Sequence, residues 1–325
     1  MEPNALNGFY PLMEKLFITQ FLCGLLQLLR LLYRLPRWFC HTIRYCWLES
    51  THRASVAWSS ALGVTTIKRE MELIVSLTTI PERLGTVAWC LDSLLRQSLK
   101  PDRLIIWLTE NNETGRPVIN RTSLPSNLLR LVPRGLEIRW CKDIRSYCKI
   151  IPTLRAHPDA IIVTADDDIF YPRSWLKELF EAYQKEPQYI HCHRARLITY
   201  DAKGFAKPYR NWQLLANGYL GPSFDLFPTG VGGVLYSPGH LHPDILIEDA
   251  FLALCPKADD VWLKAMSLLA NVQCKKVAPR SFPLIELRIP NNRTLMSENV
   301  TLNGNDVQIK AVSERYGVFK AGRDA

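Results

Sequence analysis

Three consecutive carboxylates, Asp166, Asp167 and Asp168, follow the apolar run IIVT and precede IFYP. Carboxylates a few ångströms apart repel, and burial at the edge of a core keeps at least one protonated unless a cation compensates. A divalent metal does that. Mg2+ or Mn2+ is held by one or two protein carboxylates and completes its shell with water and substrate phosphates, so Asp166 and Asp168, with Asp167 between them, suit a diphosphate-bearing substrate. An N-cap for the helical pattern YPRSWLKELFEAYQKE accounts for one aspartate, not three, and Ser174 is an alternative cap. A second acidic pair, Asp259-Asp260, opens the amphipathic stretch VWLKAMSLLA, where either residue could cap the helix or complement its dipole.

Such side chains need a scaffold. From residue 71 the chain alternates short apolar, β-branched runs with helical spacing: ELIVSLTT (72–79), LGTVAWCLDSLLRQ (84–97), RLIIWLT (103–109), LEIRW (136–140) and AIIVTA (160–165). The segment 111–127 is a surface loop by composition, and IRSYCKIIPTLRAHPD contains a short helix ended by His-Pro-Asp. Strands alternating with helices predict an α/β fold built on a mostly parallel sheet, with ligands beyond the carboxyl ends of its strands. The three aspartates stand at that end of the fourth strand. In the segment His191-Cys192-His193, spacing by two puts both imidazoles on one side of a strand, which favours packing plus one acceptor contact over a second metal site.

The net charge is +9 over 325 residues, and residues 1–70 carry eight Lys/Arg against four acids. Within that basic region, the oily stretch 16–38 and the Lys15 before it place Lys15, Thr19, Gln20, Gln27, Arg30 and Arg34 on one side of a helix and Phe17, Ile18, Phe21, Leu22, Leu25, Leu28, Leu29 and Leu32 on the other, with Leu16 the exception. Trp38, Phe39, Arg44 and Trp47 follow, as a helix lying in an anionic membrane interface requires. Packing on the chain's own core and a true membrane span are the alternatives. The expected organisation is an N-terminal helical region over 1–70 and a catalytic domain over 71–325. Nine scattered cysteines with no C-x-x-C pair suggest neither a disulfide framework nor a zinc ribbon, and a reducing compartment. N-x-S/T triplets at Asn112, Asn120, Asn292 and Asn299 mark loops. Nucleic acid is not expected as a partner, because no basic stripe interleaved with aromatics occurs in the catalytic region.

The stretches VSLTTIPERL (75–84), SLLRQSLKPDRLIIWL (93–108), SYCKIIPTL (146–154), VTADDDIFYPRSWL (163–176), TGVGGVLYSPG (229–239), KADDVWLKAM (257–266) and NGNDVQIKAVSERYG (303–317) together resemble the GT-A glycosyltransferases. The likeness is to bacterial enzymes of the inverting family-2 kind, with a D-x-D-type metal motif and roles in lipopolysaccharide or capsule assembly. Cys148 before Lys149 departs from the larger polar or basic residue expected there. The resemblance implies a Rossmann-like catalytic domain that moves a sugar from a nucleotide donor, a UDP-sugar first among the candidates, to a glycan or lipid-linked acceptor. It implies Mn2+ or Mg2+ on Asp166 and Asp168, and Asp260 or Asp259 as the carboxylate that takes the acceptor's proton, Asp260 preferred. Thr79 and Arg83 would meet base or ribose, Lys149 would neutralise phosphate charge beside Asp166 and Asp167, and Gly232, Gly233 and His193 would face the acceptor. The implied location is the cytoplasmic face of the cell membrane. A metal-dependent nucleotidyl- or phosphotransferase and a non-catalytic glycan-binding protein of the same fold are the rival readings.

Overall fold

The computed structural model describes residues 37–110, 119–288 and 304–322. The oily stretch 16–36, loop residues 111–118 and the triplets at Asn112, Asn292 and Asn299 lie outside them. The chain divides into two compact units, residues 1–51 and 52–325.

In the first unit the described part is the beginning of helix α1 (Arg37–Trp58). Phe39, Ile43 and Trp47 recur every fourth residue and therefore share one face. All three are exposed, at 37%, 52% and 64%. No helix among the described residues is long and apolar enough to cross a membrane.

The second unit is built on a seven-stranded sheet in the order β3-β2-β1-β4-β8-β5-β9. Its strands are β1 (Leu73–Thr78), β2 (Arg103–Thr109), β3 (Leu136–Cys141), β4 (Ile161–Thr164), β5 (Ile190–Cys192), β8 (Val234–Tyr236) and β9 (Cys274–Lys276). A separate antiparallel pair joins β6 (Ala195–Leu197) to β7 (Leu226–Pro228). LIVSLT, RLIIWLT and IIVT are continuous apolar runs because helices cover both faces of the sheet, which leaves no solvated side to demand alternation. Pairing is parallel throughout β3-β2-β1-β4 and between β5 and β9. β8 runs antiparallel to both its neighbours, β4 and β5. The expected mixed α/β architecture with a mainly parallel sheet is therefore present, with one reversed strand at its middle.

The helices are α2 (Val87–Leu95), α3 (Ser126–Leu129), α4 (Ile151–Ala156), α5 (Trp175–Lys185), α6 (Glu248–Leu254), α7 (Asp259–Leu269) and α8 (Gly304–Tyr316). The LGTVAWCLDSLLRQ spacing thus becomes α2, and the stretch ended by His-Pro-Asp becomes α4. The one charged group of α2 is fully buried. Asp92 accepts from Arg134 Nη1 at 2.6 Å and Ser55 Oγ at 2.8 Å, and meets His52 Nδ1 at 2.6 Å. Burial alone would raise its carboxyl, but the bonds from His52, Arg134 and Ser55 outweigh burial and hold it below the usual range. The His52 ring in turn stacks on Phe170, centroids 5.0 Å apart.

Candidate active site

Register brings the chemistry to one edge. β1 and β4 run in parallel with Ser76 opposite Thr164, so the segments that leave their carboxyl ends, Thr79–Arg83 and Asp166–Asp168, emerge side by side. Because β8 is reversed, with Val234 opposite Thr164, the Gly230–Gly233 turn that leads into it lies at the same edge. β5 ends there too, with Cys192 opposite Val234.

The aspartate loop is fixed from several directions. Arg83 Nη1 lies 2.6 Å from Asp167 Oδ1 and 2.9 Å from Asp168 Oδ2, and the Thr79 hydroxyl donates to Asp167 Oδ2 at 2.5 Å. The Asp166 N–H donates to the Tyr171 hydroxyl at 2.8 Å, which itself donates to the Val231 carbonyl at 3.3 Å. The Cys90 thiol donates to the Asp166 carbonyl at 3.3 Å, and the Leu287 N–H to the Asp168 carbonyl at 2.6 Å. Burial raises Asp167 against the pull of Arg83 and Thr79. Asp168 is pushed up to about 7, first by burial and then by the negative charge of Asp167 and Asp166.

Lys149 connects this loop to the second acidic pair. Its buried ammonium lies 3.0 Å from Asp166 Oδ1 and 2.8 Å from Asp259 Oδ2. Burial would lower it, yet Asp166, Asp259 and Asp260 together hold it well above the usual range. Both aspartates stand in the first turn of α7, whose N-cap is Ala258, so neither caps the helix. The two Asp260 oxygens instead accept the Gly230 N–H at 3.1 Å each. Burial, with Asp259 as the next cause, pushes Asp260 up to about 7. A Cβ on Gly230 would stand 2.9 Å from Asp260 Oδ1 and 3.0 Å from Lys149 Nζ, so any larger residue would push the carboxylate or the ammonium aside.

The donor set suits a small hard cation. Asp166 and Asp168 each give one oxygen to a cationic side chain, and their other oxygens, Asp166 Oδ2 and Asp168 Oδ1, bond to no described residue. Both side chains reach solvent, at 29% and 19% exposure. Among the described residues no group of three or more His, Cys, Asp or Glu is placed to hold a metal ion; a cation at these two carboxylates would need water and substrate for the rest of its shell.

Several expected roles are displaced by packing. Thr79 is buried with its hydroxyl on Asp167, and Arg83 faces the aspartates, so both organise the loop. Lys149 faces carboxylates instead of open space. Gly233, at φ +90°, and Gly232 make room for protein, since a Cβ would come within 2.4 Å of the Trp175 ring and 2.7 Å of Arg194 Cβ. Trp175 Nε1 donates to the Gly232 carbonyl at 2.8 Å. His193 is buried, its Nε2 2.9 Å from the Trp175 carbonyl and its ring edge-on to Phe282, so it is not offered to an acceptor. His191 is likewise buried, 2.9 Å from the Glu186 carbonyl. Sequence reasoning missed Cys90, Tyr171, Gly230 and Arg194. Tyr171 and Gly230 lay within motifs already singled out; Cys90 and Arg194 carried no local signal.

No protein-family model matches the chain, and no curated protein matches it. Solved structures do. One is the mannosyltransferase PcManGT from Pyrobaculum calidifontis in complex with GDP-Man and Mn2+, 14% identical over 86% of this chain and 74% of that one, with a TM-score of 0.46. A CMP:2-keto-3-deoxy-manno-octonic acid synthetase complexed with CTP is 10% identical over 73% of this chain and 100% of that one, TM-score 0.38. An apo UDP-glucose pyrophosphorylase is 10% identical over 76% and 98%, TM-score 0.36. Likeness at this level concerns the course of the backbone and extends to no residue of the site.

Proposed function

We propose that the chain is a metal-dependent glycosyltransferase that moves a sugar from a nucleotide-sugar donor to a hydroxyl of a glycan or lipid-linked acceptor, with inversion. The observation that carries this reading is Asp260, a carboxylate pushed up to about 7 and aimed by the Gly230 N–H, next to Asp259, which Lys149 ties to the aspartate loop. A base with that value is half ionised at neutral pH, where a general base works best.

Asp166 and Asp168 would hold Mg2+ or Mn2+, which when bound neutralises the donor's diphosphate as it departs. Arg83 and Thr79 keep Asp167 and Asp168 in place, and the Tyr171 and Cys90 contacts fix the backbone of Asp166. Lys149 offsets the charge of Asp166 and Asp259, so the second acidic pair can stand near the first without expelling it. Asp260 takes the proton of the acceptor hydroxyl while that oxygen bonds to the anomeric carbon on the face opposite the leaving diphosphate, which inverts the centre. Contact with a membrane surface is supported by the exposed Phe39–Ile43–Trp47 face of α1, which suits an interfacial helix, and the cytoplasmic side is the one the resemblance implies.

The test is release of nucleoside diphosphate from a panel of nucleotide sugars with Mn2+ or Mg2+, beside Asp168→Ala. Metal-dependent release from one donor, abolished in the variant, is the expected outcome. Pyrophosphate release from a nucleoside triphosphate, with no nucleotide sugar turned over, would transfer the site to a nucleotidyltransferase.

A further inference from the structure

Arg194 leaves the end of β5 beside the glycine turn. Its carbonyl accepts the Thr229 N–H at 3.0 Å, and its Cβ fills the space that Gly232 leaves open. It is thus packed against the turn whose Gly230 N–H holds Asp260. Yet its guanidinium makes no hydrogen bond or ion pair with any described residue. Arg196, two residues on and so on the same side of the extended chain, lies over the Tyr209 ring at 4.4 Å and likewise has no carboxylate within ion-pair distance among the described residues.

Two neighbouring guanidiniums with no carboxylate in ion-pair contact are costly to hold together. Burial and the charge of Arg196 hold Arg194 below its usual range, while Tyr209, Glu286 and Asp260 bear on it without pairing. Tyr209, buried beside the same two arginines and Asp260, is pushed up to about 12, chiefly by burial. Among the described residues no negative group takes both forks. Arginine suits phosphate and carboxylate because its planar donors bind them two at a time.

We propose that Arg194 and Arg196 form an anion subsite beside Asp260 that holds a phosphate or carboxylate group carried by the acceptor. The assignment to the acceptor rests on the reading of Asp260 as the base: an anion held next to it belongs to the molecule whose hydroxyl it deprotonates. The free oxygens of Asp166 and Asp168 point to the donor's place elsewhere in the site. The acceptor is then an acidic sugar or a phosphorylated one, not a neutral glycan.

The test is calorimetric titration of the full chain with inorganic phosphate and, separately, with UDP and Mn2+, for the parent, Arg194→Met, Arg194→Lys and Arg196→Met. Phosphate affinity should fall about tenfold or more in Arg194→Met and recover in part in Arg194→Lys, with UDP affinity unchanged. Phosphate affinity unchanged in Arg194→Met overturns the subsite, and if that variant does not fold, Arg196→Met decides by the same titration. An equal loss of UDP affinity assigns the anion to the donor's diphosphate and overturns the acidic acceptor. Phosphate binding lost in Arg194→Met by a parent that turns over no nucleotide sugar leaves the subsite standing and removes the transferase reading instead.

Discussion

The aspartate loop and the start of α7 carry the same kind of charge and resolve it differently. In the loop, three carboxylates share Arg83 and Lys149, and the backbone is held by Tyr171, Cys90 and Leu287. At α7, Asp259 takes the other side of Lys149 and Asp260 is left with one N–H of Gly230. Asp168 and Asp260 both reach about 7 by burial and by neighbouring carboxylates. The equal values have unequal meanings. A bound cation would relieve Asp168, whereas Asp260 is relieved only in part, by Lys149 and the Gly230 N–H, which is why it is the carboxylate proposed as the base. Protein surroundings can set one pKa by one route and still prepare two different tasks.

The contrast can be broken most directly by neutralising each member of the second pair. Asp260→Asn should lower kcat about 10²–10⁴-fold with donor affinity kept, and Asp259→Asn should lower it less; the reverse ranking in steady-state kinetics would make Asp259 the base. Gly230→Ala comes next. Its Cβ would crowd Asp260 and Lys149, so kcat should drop up to about 10²-fold with little change in melting temperature, and full activity would show that the turn does not aim the base. On the loop side, Mn2+ at a hundredfold excess over its Kd should stabilise the parent by about 2.7 kcal/mol in thermal denaturation, and Asp168→Ala not at all. The smallest effect sharpens the comparison by pH. Because Asp260 is raised from 3.8 to about 7, its contribution to stability is complete below 3.8 and lost as pH rises through about 7. Activity runs the opposite way, falling about tenfold per unit below pH 7, and Asp260→Asn should remove this titration from both profiles.

The loop was legible because its signal is local: an apolar run, three aspartates and a turn occupy one stretch. So were the strands of the parallel half, whose burial on both faces leaves long β-branched runs. β8 was harder. Val234–Tyr236 is three residues long and buried, too short to show a period, and nothing in VLY states that it runs backwards between β4 and β5. That reversal is what carries the glycine turn to the active edge. The glycines themselves were visible, but what occupies their missing side-chain space, Trp175 for Gly233 and Asp260 for Gly230, arrives from distant sequence. Lys149 gave the same difficulty: a lysine is normally exposed, and only tertiary packing shows that this one bridges two carboxylates.

Asp92 sets a practical limit on where the chain can be cut. Its buried carboxylate depends on His52 and Ser55, which lie in α1 upstream of the first strand, and the same His52 ring supports Phe170 beside the aspartates. A shortened protein that begins at residue 71 would keep every strand and every acidic residue of the site, yet leave a buried anion with only Arg134 at 2.6 Å and Arg96 at 3.8 Å as partners. The part of α1 from His52 onward therefore belongs with the sheet it supports, and the shortest version to make for biochemistry begins ahead of that histidine.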